Sequence, residues 1–170
     1  MTEALGPRQV LEIVNSYLEI MTDIIMGHRG TIDEFTGDGI LVFFGAPQAL
    51  PDHCRQAVLC ALDMQQAMAG LNLQLSERSL PELRMGIGIN CGRLIVGNIG
   101  SEKRKKYGEL GSPINLAFRV ESQTAGGEVL VAPEVHSHLN GQLLVDQARV
   151  SYVKGLEDPI TLYRVVGLTG

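Results

Sequence analysis

The segment from Thr31 to Gly45, TIDEFTGDGILVFFG, contains the carboxylates with the clearest chemical potential. Asp38 lies between two glycines, so no neighbouring side chain crowds its oxygens, and Glu34 lies shortly before it. Such a carboxylate can present its oxygens to a cation or a donor. The alternative is an ordinary Asp-Gly hairpin turn with no chemical role.

The pattern around these carboxylates predicts a β-hairpin. Ile32 and Glu34 fall on one side of an alternating stretch, which is the period of a half-buried strand. The continuous apolar run over residues 40–44 predicts a second, buried strand. The glycines around Asp38 therefore place it at or near the tip of the hairpin.

A second group of polar residues follows later in the chain. Lys103 to Lys106 form the only dense positive run in an acidic sequence, which is typical either of an anion site or of a solvated face. Pro113 predicts the first position of a helix. Asn115 and Arg119 lie four positions apart on one side of that helix, so both can face one ligand or simply solvent.

The remaining elements must position these residues. Apolar residues at helical spacing predict helices from Pro7 to Gly27 and from Asp52 to about Leu75. Strands are predicted over 83–90, 94–99, 129–132, 143–152 and 160–166, with one or two helical turns over 133–139. Helices that interrupt antiparallel hairpins favour an α+β fold, with the helices on one face of a sheet.

Composition limits the function classes. The chain has 170 residues, enough for a single domain with its own core, and a formal net charge of -5, which argues against general nucleic-acid binding. It contains neither an apolar run of membrane-spanning length nor a signal-peptide pattern. Cys54, Cys60 and Cys91 predict no disulfide framework or zinc site, and the four histidines show no metal-ligand spacing. A reduced, cytoplasmic setting fits best.

Three stretches together resemble the catalytic domain of the class III nucleotide cyclases: IDEFTGDGILVFFGAP, LRMGIGINCGRLIVGNIGSEKRKKYGELGSPINLAFRVES and YVKGLEDPITLYRV. The resemblance implies a ferredoxin-like βαββαβ core that works as a head-to-tail homodimer with shared sites at the interface. It implies conversion of a nucleoside triphosphate into a 3′,5′-cyclic monophosphate and pyrophosphate, with two Mg²⁺ or Mn²⁺ ions per site. The chain is most similar to bacterial guanylyl cyclases of the cyanobacterial type.

The resemblance also implies roles for individual residues. Asp38 matches a metal-binding aspartate, while Asn115 and Arg119 match the residues that orient the ribose and stabilise the phosphoryl transition state. The family's contacts to the triphosphate match Lys154 and either Lys103 or Arg104.

The purine-selecting positions of the family match Glu34 and Gly108. A glutamate accepts the adjacent N1–H and 2-amino donors of guanine, whereas adenylyl cyclases carry a lysine there, which can donate to adenine N1. A good bidentate pair discriminates by roughly 1–3 kcal/mol. Animal guanylyl cyclases carry Cys at the position of Gly108, so this chain departs from them there. The resemblance therefore favours guanylate cyclase, with adenylate cyclase as the alternative.

The family begins with a strand that carries a second metal aspartate, and this sequence starts after it. We expect residues 1–170 to form a single cyclase domain whose first strand lies upstream of Met1, in a longer chain with regulatory domains that could be attached to a membrane. The alternative is a non-catalytic, cyclase-like regulatory domain.

Overall fold

The computed structural model describes residues 5–94 and 113–170. Within these ranges the chain forms α1 (Pro7–Gly27), β1 (Thr31–Thr36), β2 (Gly39–Phe43), α2 (His53–Glu77), β3 (Ile87–Ile89), α3 (Pro113–Ser122), β4 (Val129–Val131), α4 (Pro133–His138), β5 (Leu143–Ser151) and β6 (Ile160–Leu168). The boundaries predicted for α1 are confirmed at both ends, and those of α2 within two residues.

The core is divided between the two long helices and a sheet. Strands β3, β4, β6 and β5 form a sheet in that order, in which β3 and β4 are parallel and the other pairs antiparallel. One side of α2 packs against α1 through Cys60. Its other side packs on the sheet through Cys54 and Val58. Cys54 and Cys60 therefore point to different sides of α2.

Helices lie on both faces of this sheet, not on one face as predicted. Val129 and Val131 of β4 face α2 and α4. Leu130, between them, packs with Val120 of α3 on the opposite face. Successive side chains of a strand point to opposite faces, so a strand buried on both sides carries apolar residues at every position.

Glycines in and before β3 set the position of α3. A Cβ built on Gly88 would lie 2.6 Å from the Cα of Glu121, and one on Gly86 would lie 2.6 Å from the Cβ of Thr124. Only residues without side chains allow α3 and the loop after it to approach β3 this closely. The small residues of this strand therefore serve helix packing.

The strand predicted over 83–90 is shorter in the structure, where only Ile87–Ile89 is a strand. The side chain of Asn72 on α2 accepts from Leu83 N and donates to Leu83 O, at 2.8 Å in both cases. Gln65 donates to Met85 O at 2.7 Å. Because α2 side chains satisfy these backbone groups, the segment needs no strand partner. Of the strand predicted over 94–99, Leu94 is not in a strand and the rest lies outside the described residues.

The predicted hairpin is confirmed as a separate two-stranded sheet of β1 and β2. The register shifts between Ile32 and Glu34, so the strict alternation predicted for β1 is broken at Asp33. Of β2, only Phe43 is fully buried, because this strand lies at the edge of a cavity described below. No helix in the described part of the chain has the length and apolar character that crossing a membrane requires.

Candidate active site

The hairpin tip presents Asp38 to its surroundings. Gly37 and Asp38 form a two-residue turn closed by the pair Thr36 and Gly39, and Gly37 has a φ of 62°. Tight hairpin turns of this kind need a positive φ, which glycine adopts without strain. Asp38 is exposed, and Glu34, which pairs with Leu41 across the hairpin, is exposed as well.

A cavity of about 680 Å³ separates the hairpin from the four-stranded sheet. It is lined by all of β2, by β3, by Asp38 and by residues of α1, α2 and α3, among them Ala117 and Phe118 of α3. Among the described residues, no strand pairing joins β2 to β3 across it. The backbone N–H and C=O groups of β2 and β3 that face the cavity are therefore open to pairing with another extended segment.

Asp38 acts electrostatically on this cavity. Tyr17 of α1 also lines it, and the Tyr17 hydroxyl donates to Met85 Sδ at 3.1 Å. Burial raises the pKa of Tyr17 above its ordinary value, and the negative charge of Asp38 adds to the shift. The Asp38 carboxylate is therefore close enough to the cavity wall to affect a group on α1.

Asn90, just after β3, is a polar residue of this cavity that the sequence analysis missed. Its Nδ2 donates to Pro113 O at 3.0 Å, while its buried Oδ1 has no hydrogen-bond partner among the described residues. A buried acceptor without a donor costs about 1–3 kcal/mol. The signal in the sequence is an amide directly after an apolar strand, and the structure gives that amide a vacant acceptor beside the cavity.

Helix α3 carries the second group of predicted residues. Ile114 and Val120 are buried and anchor the helix, while Asn115 and Arg119 are half-buried on another side of it. A Cβ built on Gly155, which has a φ of 92°, would lie against the Arg119 guanidinium. Lys154, next to Gly155, is exposed. The structure thus brings Arg119 beside the loop that carries Lys154.

The predicted site residues form two groups in the chain. Asp38 lines the cavity, whereas Asn115, Arg119 and Lys154 lie outside its lining. Lys103, Arg104 and Gly108 lie outside the described residues.

The residues at the hairpin tip fit a hard divalent cation. Mg²⁺ binds through one or two carboxylates together with substrate phosphates. Asp38 offers one exposed carboxylate between two glycines. The cavity beside it leaves space for a second ligand from another segment.

Comparison with known proteins gives consistent matches. A family model described as the adenylate and guanylate cyclase catalytic domain matches residues 1–167. The guanylyl cyclase Cya2 has a crystal structure 43% identical to this chain, with a TM-score of 0.89, covering 99% of this chain and 85% of that one. The adenylyl cyclase CyaB from P. aeruginosa is 29% identical, with a TM-score of 0.75, covering 97% and 86%. Both structures confirm the predicted α+β cyclase fold.

The curated relatives of this chain include proteins named as adenylate cyclases. Adenylate cyclase 1 of Rhizobium meliloti is 28% identical, and the match covers 99% of this chain and 26% of that protein. The adenylate cyclase of Anabaena cylindrica is 30% identical, with 97% of this chain and 34% of that protein covered. The chain therefore spans about a quarter to a third of the length of these relatives.

Proposed function

Because the chain belongs to the family of adenylate and guanylate cyclase catalytic domains, we propose that it is a guanylyl cyclase domain, which converts GTP into 3′,5′-cyclic GMP and pyrophosphate. Glu34 carries the proposal: an exposed carboxylate of β1, near the hairpin tip, can accept both neighbouring donors of guanine. Similarity to the guanylyl cyclase Cya2 supports it. A cytoplasmic location supplies both GTP and Mg²⁺.

The purine preference depends on whether the base offers hydrogen-bond donors to the Glu34 carboxylate. Guanine gives this carboxylate two donors, whereas adenine sets its N1 acceptor against it. The discrimination expected from a good bidentate pair is roughly 1–3 kcal/mol. Guanine O6 is then left to a backbone N–H or to water, because Gly108 offers no side chain.

The chemistry is an intramolecular displacement. The ribose 3′-hydroxyl gives its proton to solvent and its oxygen forms a bond to the α-phosphorus, while the bond from that phosphorus to the bridging oxygen breaks and pyrophosphate leaves. Arg119 donates from its guanidinium to the oxygens that gain charge, and Asn115 orients the ribose. Lys154 and either Lys103 or Arg104 hold the terminal phosphates. Two divalent ions, one of them held by Asp38, supply charge neutralisation and a lower pKa for the hydroxyl.

The separation of the two groups supports a head-to-tail homodimer. Asp38 lines a cavity that another side of α3 also borders, but Asn115, Arg119 and Lys154 of the same chain are not among its lining residues. In a head-to-tail arrangement the hairpin tip of one protomer meets α3 of its partner, so each site takes its metal ligand from one chain and its transition-state donors from the other.

We also propose that an extended segment upstream of Met1 fills the cavity between β2 and β3 and carries the second metal aspartate. Three observations support this: among residues 5–94 and 113–170 neither strand has a partner on that side, the cavity has room, and no group within those ranges donates to Asn90 Oδ1. An aspartate-to-asparagine change in that segment should lower turnover as far as Asp38→Asn does, with Mn²⁺ binding as a second readout.

A product assay tests the purine assignment. With Mn²⁺ and either GTP or ATP, the purified full-length domain, including its upstream segment, should form cyclic GMP well above cyclic AMP. Glu34→Lys combined with Gly108→Asp should shift the ratio of the two kcat/KM values toward ATP by about 10- to 100-fold. The control is Glu134→Lys, which reverses an exposed charge on α4. An unchanged ratio in the double variant would refute the assignment.

Adenylate cyclase activity is the second candidate, because the Rhizobium and Anabaena relatives are named for it. Equal rates with GTP and ATP would remove the argument from Glu34. A third reading, a regulatory domain without turnover, becomes the best one if the protein with its upstream segment restored binds nucleotide but forms no cyclic product.

A further inference from the structure

The four histidines fall into two kinds of surroundings. His28 hydrogen-bonds through Nδ1 to Gln56 at 3.1 Å and through Nε2 to Asp63 at 2.6 Å. The ring of His136 stacks on Tyr163, with centroids 3.8 Å apart and an angle of 9°. Hydrogen bonds or stacking therefore account for both of these histidines.

His53 and His138 have no such explanation. Their ring centroids lie 5.1 Å apart at an angle of 47°, and within residues 5–94 and 113–170 neither ring has a hydrogen bond. The thiol of Cys54 lies beside them, and one ligand atom from each of the three residues falls within 4.8 Å of the other two. Two imidazoles and a thiol thus converge with ring nitrogens left unused.

The fold builds this cluster from two helices that are distant in the sequence. His53 and Cys54 open α2, and His138 is the last residue of α4. Gly45, where the chain leaves the hairpin, has a φ of 91°, and a Cβ built on it would lie 3.2 Å from the Cβ of His53. Because the ligands come from distant parts of the sequence, their spacing gave no metal signal.

The burial of the three side chains suits a bound ion. Cys54 is buried, where a thiolate needs a cation beside it, His53 is half-buried, and His138 is exposed. The Cys54 thiol also contacts the thiol of Cys91. Zn–N and Zn–S bonds measure about 2.0–2.3 Å, so the three ligand atoms, which lie within 4.8 Å of one another, must draw closer to share one ion, and the exposed His138 side chain is free of the packing that would resist this.

We propose that His53, Cys54 and His138 bind a transition-metal ion of the Zn²⁺ class, as a site separate from the catalytic metals. Imidazole and thiolate are the donors that such ions prefer, whereas the carboxylate of Asp38 suits Mg²⁺. On binding, the sulfur forms a bond to the metal and its proton passes to solvent. The ion joins the beginning of α2 to the end of α4, next to the exit of the hairpin.

Cobalt substitution in the purified protein tests the site without any activity assay. Co²⁺ should give a thiolate-to-metal charge-transfer band and the visible bands of a tetrahedral ion, and Zn²⁺ should displace it. His138→Ala and His53→Ala should each weaken Zn²⁺ binding by at least about 10-fold, since even outer-shell partners contribute that much. Cys54→Ser should abolish the charge-transfer band.

Matched controls separate ligation from damage to the fold. His136→Ala removes a histidine of the same short helix, and Cys60→Ser removes another buried thiol of α2, yet both variants should keep the cobalt spectrum. Asp38→Asn should keep it too. The proposal is overturned if the wild-type protein gives no charge-transfer band, or if the band survives Cys54→Ser or both histidine variants. Circular dichroism verifies that each variant is folded.

Discussion

The two halves of the candidate site differ in how completely the chain builds them. On α3, Arg119 lies against Gly155, at a place where the guanidinium leaves no room for a Cβ. At the hairpin, Asp38 lies in an exposed turn beside a cavity of about 680 Å³. The proposed transition-state donor Arg119 is thus held by packing within one chain, whereas the proposed metal ligand Asp38 lies at an exposed edge where another segment can bind.

This difference indicates what a lone chain lacks. In the α3 half, Gly86 and Gly88 allow the helix and the loop after it to pack closely on β3. The hairpin half contacts the core mainly through the cluster between α1 and α2, with Ile32, Ile40 and Val42 packed against it. In the proposed head-to-tail dimer, a partner chain would bring the two halves together in each site.

Mixing two inactive variants tests whether the two halves of one site come from different protomers, and the expected recovery of activity is the largest effect predicted here. Arg119→Ala removes a donor to the developing charge and should lower kcat about 100- to 1000-fold, and Asp38→Asn should lower it as severely. In a head-to-tail dimer, an equal mixture contains heterodimers with one intact site, so cyclic GMP formation should recover to about a quarter of the wild-type rate.

The matching control mixes Arg119→Ala with Asn115→Ala. Both residues lie on α3 of the same chain, so every site in that heterodimer is damaged and no recovery is expected. If heterodimers of Asp38→Asn and Arg119→Ala form without regaining activity, each site takes both residues from one protomer and the comparison between the halves is wrong.

Gly155→Ala should give the next largest effect. Its Cβ would displace the Arg119 guanidinium, and a misplacement of about 1 Å can cost roughly 100-fold in rate. Gly127→Ala is the control, because Gly127 has a nearly equal φ of 90° but nothing within 4 Å of a built Cβ. Both variants should lose about 1–2 kcal/mol of stability to strain. A loss of kcat in both would assign the effect to strain and not to Arg119.

The features that were predicted correctly from the sequence are those that depend on neighbouring residues only. The hairpin, α1 and the face of α3 follow from local rules: glycines around Asp38, Pro7 at a first turn, and Asn115 four positions before Arg119. These need no knowledge of distant residues, so they were predicted with the correct positions.

Features that depend on tertiary contacts were missed or wrong. The bulge at Asp33 depends on the register of β1 against β2. The shortening of the strand before Asn90 depends on Asn72 and Gln65 of α2. The meeting of His53 with His138 depends on the packing of α2 against α4. No pattern within a short window contains these contacts.

Gly88, which packs closely against α3, and Gly70, which is exposed on α2, should respond oppositely in stability when they are replaced by alanine. Gly88→Ala places a Cβ against the backbone of Glu121 and should lower the free energy of unfolding by about 1–3 kcal/mol. Gly70→Ala, in the exposed interior of α2 with nothing within 4 Å, should raise it by about 0.5–1 kcal/mol. Urea denaturation measures both. Equal losses in the two variants would mean that the approach of α3 to β3 is not tight.

The four-stranded sheet, unlike the hairpin, has a buried carboxylate beside it, Glu128. The stability of the folded protein should therefore depend on acid pH through this residue. Burial acts to raise the pKa of Glu128, but hydrogen bonds from Arg149 at 2.7 Å and from Ala125 N at 2.8 Å, together with Arg164, outweigh it and hold the pKa below its ordinary value of about 4.5. A lowered pKa in the folded state means that the ionised form stabilises the fold above that ordinary value.

This stabilisation is lost as the pH falls below about 4.5 and through the lowered pKa. Glu128→Gln should therefore flatten the fall of the urea midpoint with decreasing pH, at a lower midpoint near neutral pH. Glu134→Gln, which changes an exposed carboxyl on α4, should leave the curve as in the wild type. The urea midpoints of Glu128→Gln and the wild type could instead fall with the same slope below pH 4.5. In that case the ion pairs of Glu128 contribute no pH-dependent stability, and other groups, such as the carboxylates of the hairpin, cause the acid sensitivity.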